Sequence, residues 1–472
     1  MLSIQFLGAA GQVTGSKYFV RTATHRGTLV DCGLFQGGRE LSQMNWDPLP
    51  IHLPDVANIV LTHAHLDHTG YLPRLVSQGF HGPIYCTPST KEVTEFILRD
   101  SAHLQEEDSK NANRHHYSRH KPALPLYTTE DAEAALMLLT TVERHKKKVL
   151  PDDLSFEYFN AGHILGANFI LMEKRFDEVN GVTPDPIKIL FSGDIGRDHP
   201  VYLNPKEDPP AADYVICEST YGDRLHTSID PIKEFGDIVK EIIKSKTVLL
   251  VPAFAVDRAQ ELIYALNAMI RDGEIPAIPT YVDSPMATSV TGLYEKYSDE
   301  HTMSKEELSE PDKNPLSFSS LHFVQSPEDS KRLNALKGPA IIISASGMGT
   351  GGRIVHHLRN RLPDSNTTVL FTGYQAEGTL GRHLTEGAKQ VSIFGENVNV
   401  VARILMLGSF SAHADQGEIL RWLGKMPKAP KKIFLTHGEN EARDVLKKEI
   451  ETKLGWEVHL PHLNEIVDLA QS

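Results

Sequence analysis

Short apolar runs separated by glycine-bearing turns recur through the first part of the chain, at 3–7, 17–20, 28–30, 58–62, 169–172 and 187–191. Each is too short for a globular helix and is bounded by chain breakers, so the pattern predicts strands. Polar residues able to do chemistry recur at the ends of these runs. Between them, 91–113 and 129–148 are rich in Glu, Leu, Ala and Lys and free of proline, which predicts two helices. The His- and Arg-rich stretch 114–121 reads as a solvated loop with a lesser claim to touching substrate.

From about residue 228 the pattern changes. Fully apolar runs at 247–251, 280–282, 340–344 and 368–372 alternate with helical segments such as 256–270. Strands that are apolar throughout are covered on both faces, which is the mark of a parallel sheet between helix layers. The charged, proline-flanked stretch 303–315 predicts an exposed insertion. After Gly395 the earlier design returns, with polar groups ending apolar runs at 411–415 and 435–438 and an amphipathic helix at 441–454. The expected architecture is therefore α/β: a discontinuous first domain, 1–222 and 400–472, with a second α/β domain, 223–399, inserted into it.

Composition limits the function. No stretch of about twenty apolar residues is present to span a bilayer. The N-terminus enters a strand-like run with no basic and apolar leader, so no secretory signal is expected. Cys32, Cys86 and Cys217 each sit in or beside an apolar run, which predicts buried, reduced thiols in a cytoplasmic protein rather than ligands. The net charge of -13 argues against a general nucleic-acid coat, which needs a Lys/Arg excess. A local site escapes that argument, because two dications add about four positive charges to an acidic pocket.

The candidate chemistry begins at Thr62-His63-Ala64-His65-Leu66-Asp67-His68. His63 and His65, two apart in extended chain, point the same way and suit one metal; the following turn presents Asp67 and His68 to a second. Chance clustering is the alternative, and four potential ligands in six positions make it a poor one. His163 in Gly-His-Ile and Asp194 in Ser-Gly-Asp follow strand-like runs beside glycine and are further ligand candidates, although each alone reads more simply as a turn. Asp31, ending Leu-Val-Asp, reads as a carboxylate that orients a ligand histidine or a water.

Taken in order, Asp31, the loop from His63 to His68, His163 and Asp194 resemble the successive motifs of metallo-β-lactamase-fold hydrolases, an αββα sandwich. The second half resembles the β-CASP subgroup, which includes ribonuclease J, the endonuclease subunit of pre-mRNA 3′-end cleavage, and the DNA nuclease Artemis. Glu218 in Cys-Glu-Ser-Thr matches its motif A, His413 in Ser-Ala-His-Ala-Asp its motif B, and His437 in Leu-Thr-His-Gly its motif C. The resemblance implies one zinc ion on His63, His65, His163 and Asp194 and a second on Asp67, His68, Asp194 and His437, with manganese as the alternative metal. It assigns catalysis to Asp67, His413 and Glu218, with His413 as general acid. Histidine at motif C implies RNA rather than DNA, so the expected partner is single-stranded RNA. Homodimers are common in the subgroup.

Two glycine-rich turns follow strands at 344–353 and 373–382. With Ser409 and Ser411, the first of these supplies the candidate phosphate contacts: Ser344, Ser346, Gly347, Gly349 and Arg353. The basic stretch 425–432 reads as a solvated loop. Competing readings are a small-molecule esterase or thioesterase on the same metal site, a DNA nuclease, and an inactive RNA-binding subunit. The inserted domain and the Glu218/His413 pair oppose the esterase, and the complete ligand set opposes the inactive subunit.

Overall fold

A computed structural model of the chain describes residues 2–22, 26–115, 120–178, 183–227 and 229–470. Two seven-stranded sheets face each other. The first runs, in spatial order, Ile466–Asp468, Leu2–Phe6, Tyr18–Thr22, Gly27–Val30, Val56–Val60, Ile84–Cys86, Leu139–Thr141. The second runs Val458–His459, Lys432–Thr436, Tyr214–Glu218, Ile187–Phe191, Asn168–Lys174, Leu154–Asn160, Lys148–Val149. Ile4, Val20 and Val60 from one sheet and Phe156, Ile170, Phe191 and Phe434 from the other fill the space between them.

The outer faces are helical. Pro88–His115 and Thr129–Leu136 cover the first sheet through Leu98, Ala102, Ala132 and Ala135. Gln416–Gly424 and Asn440–Lys453 cover the second through Ile419, Leu423, Leu446 and Ile450. This is the expected αββα sandwich. C-terminal strands join both sheets, which is why the domain is discontinuous in sequence.

A third sheet runs Leu321–Phe323, Thr280–Asp283, Ala340–Ser344, Val248–Pro252, Thr367–Phe371, Arg403–Met406, with every pairing parallel. Three of its four inner strands, Ala340–Ser344, Val248–Pro252 and Thr367–Phe371, are buried at every position, as strands covered on both faces are. Because Arg403–Met406 pairs with Thr367–Phe371, the inserted sheet extends past residue 399, to Met406. The insert is tied to the sandwich by Glu300, whose carboxylate accepts from Arg144 Nη2 at 2.9 Å and from the Gly166 amide at 2.8 Å.

Three local expectations change. The segment 129–148 is helical only to Leu136; Leu139–Thr141 and Lys148–Val149 are strands at the ends of the two sheets. End strands expose polar residues, so their composition imitates a helix surface. The stretch 303–315 is partly anchored: Met303 and Leu308 are buried, and Ser304 and Glu307 form a capping box on Lys305–Ser309. Of the expected loop at 114–121, the helix continues to His115, and 116–119 lie outside the described residues. Among the described residues no helix is long and apolar enough to cross a membrane, and all three cysteines are free and buried.

Candidate metal centre and active site

Loops at one end of the facing sheets bring the distant residues together. The chain leaves Val56–Val60 still extended, then enters the single helical turn Leu66–Thr69. His63 and His65 therefore face one direction, while Asp67 and His68, on the turn, face another. Close backbone packing holds the loop: a Cβ on Gly33 would lie 1.6 Å from the Asp67 carbonyl oxygen. Asp31, with φ of 57°, aims its carboxylate back under the loop. It accepts from the Thr62 amide at 2.7 Å and the Thr62 hydroxyl at 2.8 Å, and lies 2.8 Å from His68 Nδ1. The contact is at Nδ1, and the other ring nitrogen of His68, Nε2, lies 3.3 Å from Asp194 Oδ1.

Asp194 arrives from Ile187–Phe191 through Gly193, whose φ of 53° and 2.8 Å approach to Thr62 Cβ leave no room for a side chain. His437 ends Lys432–Thr436 with φ of 48°; its amide donates to the Ala9 carbonyl at 2.8 Å, and its Nδ1 lies 3.0 Å from Thr220 Oγ1. Thr62 and Thr220 were not singled out from sequence. Their adjacency to the His63 loop and to Glu218 was the available signal.

Two donor groups result, His63, His65, His163 with Asp194, and Asp67, His68 with His437, each with ligand atoms within 4.8 Å of one another. In the first, His65 Nδ1 is 3.1 Å from His63 Nε2 and 3.3 Å from His163 Nε2. In the second, His437 Nε2 is 3.2 Å from Asp67 Oδ2. Asp194 joins them: Oδ2 lies 3.4 Å from both His63 Nε2 and His163 Nε2, and Oδ1 lies 3.3 Å from His68 Nε2.

The electrostatics differ between the two groups. In the second, burial opposes charge on His68, but Asp194 and Asp31 outweigh it and hold the ring well above the usual imidazole range, whereas the first group favours neutral rings. Burial, with His68 alongside, pushes His63 down to about 3, and burial pushes His65 down to about 4 and His163 well below the usual imidazole range. Neutral rings are the ligand form. Burial opposes charge on Asp194, but His437, His68 and His63 outweigh it and hold the carboxyl well below its usual range. Asp194 Oδ1 is nevertheless buried with no hydrogen-bond partner. An unsatisfied carboxylate oxygen amid converging ring nitrogens is a costly arrangement for protein groups alone. A divalent ion would satisfy it, and the donor set fits a metal ion.

Beside this centre, His413 Nδ1 lies 3.1 Å from Glu218 Oε2 and 4.0 Å from Asp194 Oδ2. Burial disfavours the imidazolium, but the Glu218 charge and hydrogen bond and the Asp194 charge overcome it and raise His413 to about 9. His413 also borders a cleft of about 620 Å³ together with His65 and Asp67.

The expected phosphate contacts are only partly brought to this place. Ser346 lines the large cleft, and Gly347 and Ser411 line a smaller cavity of about 70 Å³ with His163 and His413. Ser344 is buried, with its hydroxyl donated to the Asp283 carbonyl oxygen at 2.9 Å. Arg353 is engaged inside the insert, donating to Asp283 Oδ1 at 2.7 Å and to the Val324 carbonyl oxygen at 3.1 Å. Gly349, with φ of 67°, packs toward Leu358 and Leu380. Ser409 is buried, its carbonyl accepting from Arg197. Tyr374, in the second glycine-rich turn, donates its hydroxyl to Glu439, two residues beyond His437, and so links the insert to that loop.

The fold and this donor set define a metal-dependent hydrolase. Sequence profiles of the metallo-beta-lactamase superfamily match residues 10–146, of the Beta-Casp domain 259–384, and of the Zn-dependent metallo-hydrolase RNA specificity domain 397–461. The chain is 35% identical to ribonuclease TTHA0252 of Thermus thermophilus, over 97% of this chain and 98% of that one. It is 30% identical to an RNase J-like protein of Methanocaldococcus jannaschii, over 93% of each. It is 27% identical to the transcription termination factor FttA of the same archaeon, over 93% of this chain and 67% of that one. The chain belongs to the β-CASP family of the metallo-β-lactamase superfamily.

Proposed function

We propose that the protein is a zinc-dependent ribonuclease that hydrolyses phosphodiester bonds of single-stranded RNA. The carrying observation is Asp194, whose two oxygens face the two donor groups at 3.3–3.4 Å beside the His413–Glu218 pair. His63, His65, His163 and Asp194 would hold one zinc ion, and Asp67, His68, Asp194 and His437 the other. Two such ions supply a water of near-neutral pKa and charge compensation at phosphorus. RNA as substrate is supported by the RNA specificity domain match and by the ribonuclease names of the similar proteins.

The chain's own groups do the rest. Glu218 holds His413 by Nδ1 and favours its protonated form, so that Nε2 delivers a proton to the departing ribose oxygen. Ser346 on the large cleft, and Gly347 and Ser411 on the smaller cavity, all reach space that His413 also borders, and position phosphate oxygens. The three buried thiols accord with a reducing cytoplasm. Asp67→Ala or His68→Ala should abolish cleavage of single-stranded RNA while circular dichroism stays unchanged; cleavage retained by highly purified variant would sink this reading. Digesting one RNA with a 5′ monophosphate, triphosphate or hydroxyl, with products sized, reports activity and end dependence together.

A further inference from the structure

The 620 Å³ cleft leads outward from His65, Asp67 and His413, and its walls away from them are unlike a phosphate channel. They carry Phe35, Trp46, Leu124, Phe254 and Met286. Trp46 is 42% exposed and Leu124 64% exposed, so large apolar groups meet solvent inside a concave surface. Among the described lining residues there is no Lys or Arg; the carboxylates are Asp67 and Asp108. Away from Ser346 and the catalytic end, a polyanionic backbone gains little along such a wall, because phosphate binding draws on basic side chains. Unpaired bases gain a good deal, since they stack on aromatic faces whatever their identity.

Two aromatic rings bracket the chamber. Phe254 stands at the inner end, its ring centroid 5.9 Å from that of His65. Trp46 lines the same chamber, just beyond the short helix Arg39–Met44. The Arg74 guanidinium lies over the indole, 5.7 Å from its centroid, and covers one face; Arg74 itself is not part of the chamber wall. The rest of the indole borders the open space. A large, half-exposed ring braced from behind is the form a stacking platform takes.

We propose that Trp46 is a nucleobase-stacking platform, and that the chamber receives the unpaired bases next to the scissile phosphate, gripping the RNA there by its bases instead of its backbone. This rests on the ribonuclease reading above. The test uses short single-stranded RNAs with one base at a time removed to leave an abasic sugar, cleaved by the zinc-loaded full chain. With the wild-type protein, one abasic position should raise KM about fivefold or more, the lower end of what one stacked base contributes. Trp46→Ala should show that same loss on intact RNA and no further loss at that abasic position, with kcat at saturation changed less than threefold. Trp46→Phe should restore most of the affinity, and both variants should melt like the wild type.

Wild-type KM for Trp46→Ala, or losses that multiply when variant and abasic site are combined, would overturn the platform while leaving the ribonuclease reading intact. A wild-type protein that cleaves none of these RNAs would overturn both, and the two failures are thereby told apart.

Discussion

Glu218 and His413, 195 residues apart in the chain, meet with Oε2 3.1 Å from Nδ1. Glu218 is buried and also accepts from the Ile195 amide, next to Asp194. One carboxylate thus fixes both the imidazole and the backbone of the Asp194 loop.

Glu218→Gln keeps the shape and removes the charge. Because the carboxylate favours the imidazolium, His413 is protonated below a raised pKa; without that charge it loses its proton at lower pH. The alkaline limb of the kcat profile should therefore move to lower pH, and kcat should fall about a hundredfold, the lower range for general acid–base catalysis. RNA affinity should hold. An unshifted limb would remove Glu218 from this role.

His437→Ala deletes a donor from the second group alone. Metal analysis of the zinc-loaded variant should give about one ion per chain in place of two, and RNA cleavage should be lost. Two ions retained would show that Asp67, His68 and Asp194 suffice.

Gly33→Ala should act at a distance on the same loop. The added Cβ would sit 1.6 Å from the Asp67 carbonyl oxygen, so either backbone must move. Reduced zinc content and activity are expected, with a melting temperature lowered by several degrees, as a strain of about 1–3 kcal/mol implies. A variant with normal zinc content would show that the loop yields freely.

Asp283 is the insert's buried anchor, accepting from His357 Nε2 at 2.6 Å, Ser330 Oγ at 2.5 Å and Arg353 Nη1 at 2.7 Å. Burial opposes its charge, yet these bonds hold its carboxyl below the usual range. A depressed carboxylate contributes stability above its unfolded pKa, and that contribution is lost as pH falls through the folded value. Asp283→Ala should cost about 3–5 kcal/mol, measured by denaturant unfolding at neutral pH. Less of that difference should remain in acid. Arg353→Ala should likewise lower stability and leave the KM for RNA close to normal; a KM effect without destabilisation would return Arg353 to phosphate binding.

The ligand loop was legible because strand geometry places His63 and His65 on one side within three residues of sequence. The parallel insert was legible because strands buried on both faces must be apolar throughout. The end strands Leu139–Thr141 and Lys148–Val149 were not, since partial solvation leaves them a helix-like composition. The phosphate candidates divided for a similar reason. A serine or arginine beside glycines reads the same whether it faces a cleft or, as Ser344 and Arg353 do, a buried aspartate.

By itself, then, the sequence determined which residue types end which strands, and hence that a metal-dependent hydrolase with an inserted parallel domain was encoded. Only the tertiary structure supplied the distances: that Asp194 Oδ2 faces His63 and His163 while Oδ1 faces His68, that Asp31 lies 2.8 Å from His68 Nδ1, and that Trp46 borders the cleft. Those relations join residues tens to hundreds of positions apart, and their distances follow from how two sheets and an insert pack together, which no local spacing encodes.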